Sequence, residues 1–377
     1  MLYYLFYVKL YPHFTPFRVF RYLTFRTAFA SITALMICLL FGPWLIARLK
    51  EFQIGQYIRE EGPSSHQTKA GTPTMGGVLI NVAVLIPTLL WADLTNLLVW
   101  LVILATLGFG LVGFLDDYYK LRNRHNKGLS GRTKFYSQVL ISFLVGVVLL
   151  ILTANGSYST HLMVPFFKNY TPDLLIHSLM KSYYTYPLAF FFFFLFVVLV
   201  IVGASNSVNL TDGLDGLAVG CCIVAAGALT VLTYVTGHAV FARYLEINLI
   251  PQVGEVTVFC GSMVGACLGF LWYNAYPAEI FMGDVGSLAL GGAIGTVAVI
   301  IKQEILLLFI GGVFVAEAAS VILQVASFQL YGRRIFKMAP LHHHFEMKGW
   351  TESKVITRFW IAALVLALFS LSTLKLR

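Results

Sequence analysis

Long segments without any charged residue dominate this sequence and restrict the folds open to it. One of them extends from residue 182 to residue 211, and about 20 apolar residues already suffice for a helix that crosses a bilayer. Hydrophobic residues make up 58% of the 377 residues and charged residues only 11%, too little charge to cover a soluble domain of this size. We therefore predict an all-α polytopic integral membrane protein with about ten transmembrane helices. The predicted spans, in one domain of residues 1–377, are 27–47, 70–92, 94–115, 135–167, 182–211, 216–242, 256–278, 285–301, 305–327 and 359–374.

Two regions depart from this pattern. Residues 1–26 are aromatic and basic and lack the compact basic, apolar and small-residue order of a cleavable signal; we interpret them as an arm at the membrane interface. The ninth span contains Glu317, and a lone acid is costly in lipid. We expect this span to be bent or broken there and to form one wall of a lipid-facing groove.

The charges indicate a topology and exclude one class of partner. A net charge of +9 would suit a nucleic-acid-binding protein, but Lys and Arg of membrane proteins collect in cytoplasmic loops, so we expect no nucleic acid as a partner. With ten spans, most Lys and Arg lie in loops on one side, which we assign to the cytoplasm, with both termini outside. Five of the seven aspartates fall on the same side: Asp116, Asp117, Asp212, Asp215 and Asp284.

Polar residues follow the fifth predicted span abruptly. The stretch SNSVNLTDGLDG, residues 205–216, contains Asn209, Asp212 and Asp215 with glycines between and after them. Glycine lets the backbone approach a ligand closely, which suggests a binding loop at the membrane face. The alternative is an ordinary helix start, because Asn and Asp are good N-caps. These twelve residues leave both interpretations open.

Two more acidic motifs lie on the same predicted face. LDDYYK, residues 115–120, ends the third span with Asp116 and Asp117, and FMGDVGS, residues 281–287, holds Asp284 between two glycines. Adjacent carboxylates repel each other unless a cation lies between them, and Mg²⁺ prefers carboxylate and phosphate oxygens. We predict a Mg²⁺ site or an acid–base pair. For LDDYYK, the alternative is a solvated helix end paired with Lys120 and Arg122.

Two further stretches complete the candidate site. MAPLHHHFE, residues 338–346, carries His342, His343 and His344 in series; such a run cannot direct all three rings to one metal, so phosphate or sugar binding fits better than zinc. GTPTMGG, residues 71–77, follows Lys69 and would let a helix begin beside a phosphate. For MAPLHHHFE the alternative is a polar loop at the membrane interface. For GTPTMGG it is a helix start packed through small residues. Together, the motifs indicate a metal-assisted site that handles an anionic substrate beside lipid.

These five motifs, GTPTMGG, LDDYYK, NLTDGLDG, FMGDVGS and MAPLHHHFE, closely resemble those of the polyprenyl-phosphate N-acetylhexosamine-1-phosphate transferases, and they extend from residue 71 to residue 346. HHHFE is the discriminating motif, because sister enzymes that use UDP-GlcNAc carry a different loop there. The resemblance implies ten transmembrane helices, periplasmic termini, a homodimer and a bacterial inner-membrane location with the active site on the cytoplasmic face.

The resemblance also implies a reaction and roles for individual residues. UDP-MurNAc-pentapeptide and undecaprenyl phosphate would give lipid I and UMP with Mg²⁺, in the first membrane step of peptidoglycan synthesis. Asp284 is similar to the family's Mg²⁺ ligand, and Asp116, Asp117 and His343 to further catalytic residues. The implied substrate-binding residues are Lys69, Asn209, Asp212, Asp215, Asn274, Phe281 and His342.

Three rival functions remain at this point. A sister transferase would move GlcNAc-1-phosphate to the same lipid, and the histidine loop argues against it. A secondary transporter would place its acids at mid-depth in the bilayer instead of at one face. An intramembrane prenyltransferase would carry two similar acid-rich motifs, whereas this chain has one Asp-Asp pair and two motifs with isolated acids.

Overall fold

The computed structural model of the protein describes residues 1–51, 71–122, 128–167, 170–175 and 186–375. Within these ranges the chain is almost wholly helical, and its β-type pairing consists of isolated bridges, such as the one between His161 and Asp173. The α-helices, in chain order, are α1 (Leu23–Glu51), α2 (Gly77–Trp91), α3 (Leu97–Arg122), α4 (Gly131–Ala154), α5 (Tyr186–Thr211), α6 (Leu217–Gly237), α7 (Ala239–Leu245), α8 (Val256–Asn274), α9 (Gly283–Ile300), α10 (Glu304–Ile310), α11 (Gly312–Tyr331), α12 (Leu341–Glu346) and α13 (Glu352–Ser372).

The predicted fold class is confirmed. In the described part of the chain, nine helices are long and apolar enough to cross a membrane, and α2 is a shorter apolar helix of 15 residues. The nine are α1, α3, α4, α5, α6, α8, α9, α11 and α13.

Several spans are shorter than predicted, and the second and fourth differ most from the predicted ranges at one end. Helix α2 begins at Gly77 instead of residue 70, because the backbone N–H groups of Gly76 and Gly77 donate to the carbonyls of Phe281 and Met282 and tie the preceding segment to the start of α9. Helix α4 ends at Ala154 instead of residue 167. Gly156 follows with a φ of 69°, a left-handed conformation that commonly ends a helix at glycine.

Helix α9 lies at the centre of the bundle and is almost fully buried. Small residues make this possible, because they let helix backbones approach closely without lipid between them. Gly291 packs against the backbone of α5 at Ser205, and Gly292 packs against the ring of Phe109 on α3. The Ser205 hydroxyl also donates to the Leu288 carbonyl at 3.0 Å. The first turn of α9, which carries Asp284, is therefore held between α3 and α5.

The ninth span is broken, but the predicted place of the break was wrong. Helix α10 ends at Ile310 and α11 begins at Gly312, so the interruption lies at Gly311. Glu317 sits within the continuous helix α11 and is fully buried. Its acid is accommodated by a neighbouring histidine, His342, and so the helix need not unwind to hydrate it.

The end of the bundle opposite the aspartate motifs is closed by an ion pair. The predicted arm forms a π-type helix (Tyr3–Leu10) and a 3₁₀ helix (Thr15–Arg21), and α1 begins already at Leu23. Arg26 is buried and makes two parallel hydrogen bonds to Glu255, each 2.6 Å long, while its guanidinium lies 4.4 Å from the centroid of the Tyr3 ring. This fork geometry links the arm, α1 and the segment preceding α8.

We expect Glu255→Ala to lower the free energy of unfolding by about 3 kcal/mol, because it leaves Arg26 buried without its carboxylate. The matched control is Glu51→Ala, which removes the exposed Arg48–Glu51 pair, 2.7 Å apart, and is expected to cost less than about 1 kcal/mol. Unfolding titrations of both variants in detergent micelles measure the difference. Equal losses would contradict the structural role of the buried pair.

Candidate active site

The predicted site motifs meet at one end of the bundle because neighbouring helices run in opposite directions. Asp116 and Asp117 lie near the end of α3, and Asp284 lies in the first turn of α9. Asp212 and Asp215 occupy the loop between α5 and α6. The structure thereby brings together the carboxyl-terminal ends of α3, α5 and α8 with the amino-terminal ends of α4, α6, α9 and α13.

Three carboxylates form the centre of the site. Asp116, Asp117 and Asp284 each contribute an oxygen to a group whose members all lie within 4.8 Å of one another. Asp116 and Asp117 are only 3% and 4% exposed. Negative charges so close together and so poorly hydrated require compensation by cations.

Two lysines supply this compensation in the structure. The Lys120 ammonium lies 2.6 Å from Asp116 Oδ2, 3.4 Å from Asp117 Oδ1 and 2.9 Å from Asp284 Oδ2. The Lys134 ammonium, from the start of α4, lies 2.7 Å from Asp284 Oδ2. Three acids and two lysines leave the cluster with one formal negative charge. The oxygen donors and this residual charge fit a hard divalent cation such as Mg²⁺.

Neither lysine was among the predicted site residues. For Lys120 a signal existed, because it follows Asp116 and Asp117 by one helical turn and therefore shares their face of α3. Lys134 gave no comparable signal, since it comes from another helix and only the packing of α4 against the site brings it near Asp284.

The backbone around Asp284 depends on glycine. Gly283 has a φ of 72°, a left-handed conformation that glycine adopts at no steric cost. A Cβ atom on Gly283 would lie 2.6 Å from Asp117 Oδ2, and the same oxygen accepts a 3.2 Å hydrogen bond from the Val285 N–H. The sequence pattern of an acid beside glycine thus corresponds to a close approach between α3 and the start of α9.

Asn209 fixes the orientation of Asp284. Its amide nitrogen donates to Asp284 Oδ1 at 2.7 Å and contacts the Ser287 hydroxyl oxygen at 2.8 Å. One carboxylate oxygen of Asp284 is therefore bound by an amide from α5 and the other by two ammonium groups. The Asn209 side chain thus supports Asp284; the predicted binding of substrate by Asn209 stays a prediction.

Backbone hydrogen bonds hold residues 212–216, which we call the aspartate loop. The Asn274 side chain accepts from the Gly216 N–H at 3.1 Å and donates to the Ile280 carbonyl at 2.9 Å. Asp215 accepts from the Ala278 N–H at 3.0 Å, and its own N–H donates to Glu352 at 3.1 Å. Asn274 and Asp215 thus join the aspartate loop to the segment after α8; substrate binding by either stays a prediction. Glu352 was missed, because nothing in the sequence relates it to residue 215.

Asp212 is the first residue of the aspartate loop and lies near the carboxylate cluster. It accepts a hydrogen bond from the Gly283 N–H, which favours its charged form. Loss of hydration, followed by the negative charges of Asp284, Asp117 and Asp215, outweighs this bond and raises the pKa of Asp212 to about 8. The structure therefore places an acid that can hold a proton at neutral pH next to the cluster.

Phe281 and the histidines border the same region. Phe281 is partly exposed, and its backbone is fixed by hydrogen bonds to Pro73 and Gly76, 2.8 and 2.9 Å long. His343 is partly exposed, with Nδ1 2.8 Å from Glu346 Oε2, whereas His342 is fully buried. A substrate could therefore reach the His343 ring more easily than the His342 ring. Lys69, also predicted to bind substrate, lies outside the described residues.

We expect Lys120→Met to destabilise the protein in EDTA by about 1 kcal/mol, a modest loss because the ammonium is partly solvated. Mg²⁺ should restore more stability to this variant than to the wild type, since a bound cation would contact the same oxygens as the ammonium. Arg122→Met, which removes an exposed charge two residues further along α3, is the matched control. Thermal melting with and without Mg²⁺ measures both effects, and an equal response of the two variants would contradict shared ligands.

Asp212 should make the stability of the metal-free protein depend on pH. Its pKa rises from 3.8 to about 8 on folding, so the protonated form is favoured in the folded state. The resulting stabilisation is complete below the unfolded pKa and is lost as the pH rises towards 8. In EDTA, the melting temperature of the wild type should therefore fall relative to that of Asp212→Asn as the pH rises from about 5 to about 9. Parallel pH profiles of the two proteins would show that Asp212 titrates normally.

Two family models match regions of the chain that carry the predicted motifs. The family model described as glycosyl transferase family 4 matches residues 99–302, from α3 to the end of α9. A second model, described as phospho-N-acetylmuramoyl-pentapeptide-transferase signature 1, matches residues 69–80, which include the start of α2.

Curated relatives match over the full length of the chain. Proteins named phospho-N-acetylmuramoyl-pentapeptide-transferase are 68% identical in Acidobacterium capsulatum, 65% in Koribacter versatilis and 62% in Solibacter usitatus, and each alignment covers 100% of both chains. With this identity over its whole length, and with the carboxylate cluster inside the matched region, the chain belongs to glycosyl transferase family 4 and, within it, to the phospho-N-acetylmuramoyl-pentapeptide-transferases.

Proposed function

We propose that this protein transfers phospho-MurNAc-pentapeptide from UDP-MurNAc-pentapeptide to undecaprenyl phosphate and so produces lipid I and UMP. The observation that carries the proposal is the cluster of three aspartates and two lysines at one end of an apolar bundle. A charged nucleotide sugar would approach such a site from the aqueous side, and a membrane-bound acceptor from the lipid side. Full-length relatives that carry the transferase name support the same reaction.

Mg²⁺ is the proposed cofactor, held by Asp284 with Asp116 and Asp117 beside it. When bound, the ion would neutralise charge on the diphosphate and make UMP a better leaving group. Asn209 supports this role, because its amide holds Asp284 Oδ1 in place at 2.7 Å. The lysines are mobile enough, as long flexible side chains, to move from the carboxylates to substrate phosphates.

The acceptor phosphate is proposed to attack the diphosphate directly. A phosphate monoester has a second pKa near 6 and is mostly dianionic at neutral pH, so it needs little help from a base. Asp117 or Asp116 would accept any remaining proton, while Lys120 and Lys134 would bind the phosphate oxygens. The alternative is attack by Asp116 and a phospho-enzyme that the lipid phosphate then resolves.

The nucleotide is proposed to bind between Phe281 and the aspartate loop. Phe281 is partly exposed and offers an aromatic face for uracil to stack on. Asp212 and Asp215 lie in the adjoining loop, and Lys69 would approach from the segment before α2. His343 is the proposed sugar or phosphate contact in the histidine loop, since it is partly exposed.

Location and assembly complete the proposal. The multi-pass bundle supports a bacterial inner membrane, and the concentration of basic residues supports a cytoplasmic position for the site end. The break at Gly311 and the apolar outer surface of α11 support a groove wall for the polyprenyl chain. A homodimer is proposed from the family resemblance.

The decisive assay is lipid I synthesis by the purified protein. UMP release should require both undecaprenyl phosphate and Mg²⁺, and Asp284→Ala should lower turnover by about a thousandfold because it removes the metal's principal ligand. Asp117→Asn and His343→Ala should also lose turnover. Asp93→Ala, at the opposite end of the bundle, is the control and should keep it. Retained activity in Asp284→Ala would remove the metal assignment.

The same assay separates the rival functions. A sister transferase would turn over UDP-GlcNAc instead of UDP-MurNAc-pentapeptide, whereas a transporter or a prenyltransferase would release no UMP. We expect turnover with UDP-MurNAc-pentapeptide only.

Direct attack is tested with a radiolabelled nucleotide substrate. We expect no protein-bound label when undecaprenyl phosphate is omitted, since the acceptor itself is the nucleophile. A phospho-aspartyl intermediate that disappears in Asp116→Asn would establish the two-step route instead.

A further inference from the structure

Glu317 is a carboxylate within a helix that faces lipid. Helix α11 exposes Ile322, Leu323 and Phe328, yet Glu317 itself is 0% exposed. An ionisable residue within a membrane helix that neither faces water nor belongs to a solvated loop needs a specific partner, because its hydration is lost. The proposed reaction makes no use of this side chain.

The partner of Glu317 is His342 in the histidine loop. The His342 backbone N–H donates to Glu317 Oε1 at 3.2 Å, and His342 Nδ1 lies 3.3 Å from Glu317 Oε2. His342 is also 0% exposed. A single carboxylate therefore contacts the backbone and the ring of the same residue, which fixes the start of α12 against α11.

The opposite side of the His342 ring contacts the aspartate loop. A Cβ atom on Gly213 would overlap His342 Nε2, so only glycine leaves room for this ring. The neighbouring residue, Asp212, accepts a hydrogen bond from the Gly283 N–H at the start of α9. The ring of His342 also lies 4.2 Å, centroid to centroid, from that of His343. His342 thus touches the membrane helix, the aspartate loop and the exposed histidine.

We infer that Glu317 is a positioning residue, which holds His342 against Gly213 and thereby keeps the aspartate loop and His343 in place for the nucleotide substrate. The inference rests on the proposed function, because it takes the aspartate loop as part of the nucleotide site. Glu317 acts through His342 and does not reach the substrate, as its complete burial requires.

The test compares full-length Glu317→Ala and Glu317→Gln with Ser320→Ala in detergent–lipid micelles. Ser320 is the matched control, because it is buried one turn along α11 and its hydroxyl donates only to the Glu317 carbonyl. Glu317→Ala should raise the KM for UDP-MurNAc-pentapeptide and the Kd for UMP about tenfold or more, with the KM for undecaprenyl phosphate unchanged. Glu317→Gln should recover most of the affinity, since its amide oxygen still accepts from the His342 N–H. Ser320→Ala should behave as wild type.

A second variant approaches the same contact from the other side. Gly213→Ala should displace the His342 ring and raise the KM for the nucleotide substrate in the same way, while Glu317 remains intact. The double variant Glu317→Ala/Gly213→Ala should be no worse than the more affected single variant, because residues that act as one unit are not additive. Gly213→Ala also provides the readout if Glu317→Ala does not fold.

Wild-type KM and UMP affinity in folded Glu317→Ala, with only a lower melting temperature, would overturn the inference and leave a purely structural role. Fully additive losses in the double variant would overturn it as well. Failure of the proposed function is distinguishable, because the wild type would then bind UMP without making lipid I.

Discussion

Compensation of buried charge is the constraint on which the described structure depends. An apolar bundle offers little hydration, so each ionised group in it needs a partner close by. At the site end, Lys120 and Lys134 offset Asp116, Asp117 and Asp284, while at the opposite end Arg26 binds Glu255 at 2.6 Å. A further pair, Lys302 and Glu304, is buried between α9 and α10 at 2.8 Å. These contacts determine how the helices pack against each other, and they stabilise the ionised side chains inside the bundle.

The acids and lysines of the site do not neutralise each other fully, whereas the other two ion pairs do. This difference bears on function. Arg26–Glu255 and Lys302–Glu304 match one cation with one acid, so they suit permanent contacts. Three acids with two lysines leave a negative charge, and both lysines have flexible stems that can turn to another anion. In the proposed function, the cluster would exchange its ammonium contacts for a divalent cation and phosphate groups. A site for phosphoryl transfer needs this kind of exchange.

Polar side chains of the sequence motifs hold the loops around the cluster in place through hydrogen bonds, most of them to the backbone. Asn274 and Asp215 tie the aspartate loop to the segment after α8, and Asn209 holds Asp284. The His342 ring packs against Gly213, and the His342 backbone N–H donates to Glu317 on the lipid-facing helix α11. Preorganisation of this kind limits the movement of the groups that would meet substrate, which benefits a reaction that depends on positioning. Motif residues therefore divide into those with partly exposed side chains, such as Phe281 and His343, and those that hold other residues of the site in place.

The sequence by itself determined the fold class and the acidic motifs that meet at one end of the bundle. Charge-free segments longer than a bilayer crossing have no other stable arrangement than membrane helices, and the aspartates at their ends identified the site end. Helix limits at Gly77 and Ala154 escaped prediction, because the hydropathy of a segment does not reveal a backbone bond to Phe281 or a glycine turn. Only the tertiary structure decided that Lys134 pairs with Asp284, that Glu352 accepts a hydrogen bond from the Asp215 N–H and that Glu317 accepts one from the His342 N–H. Each of these contacts joins residues from different helices or loops, and local spacing carries no information about partners that packing brings together.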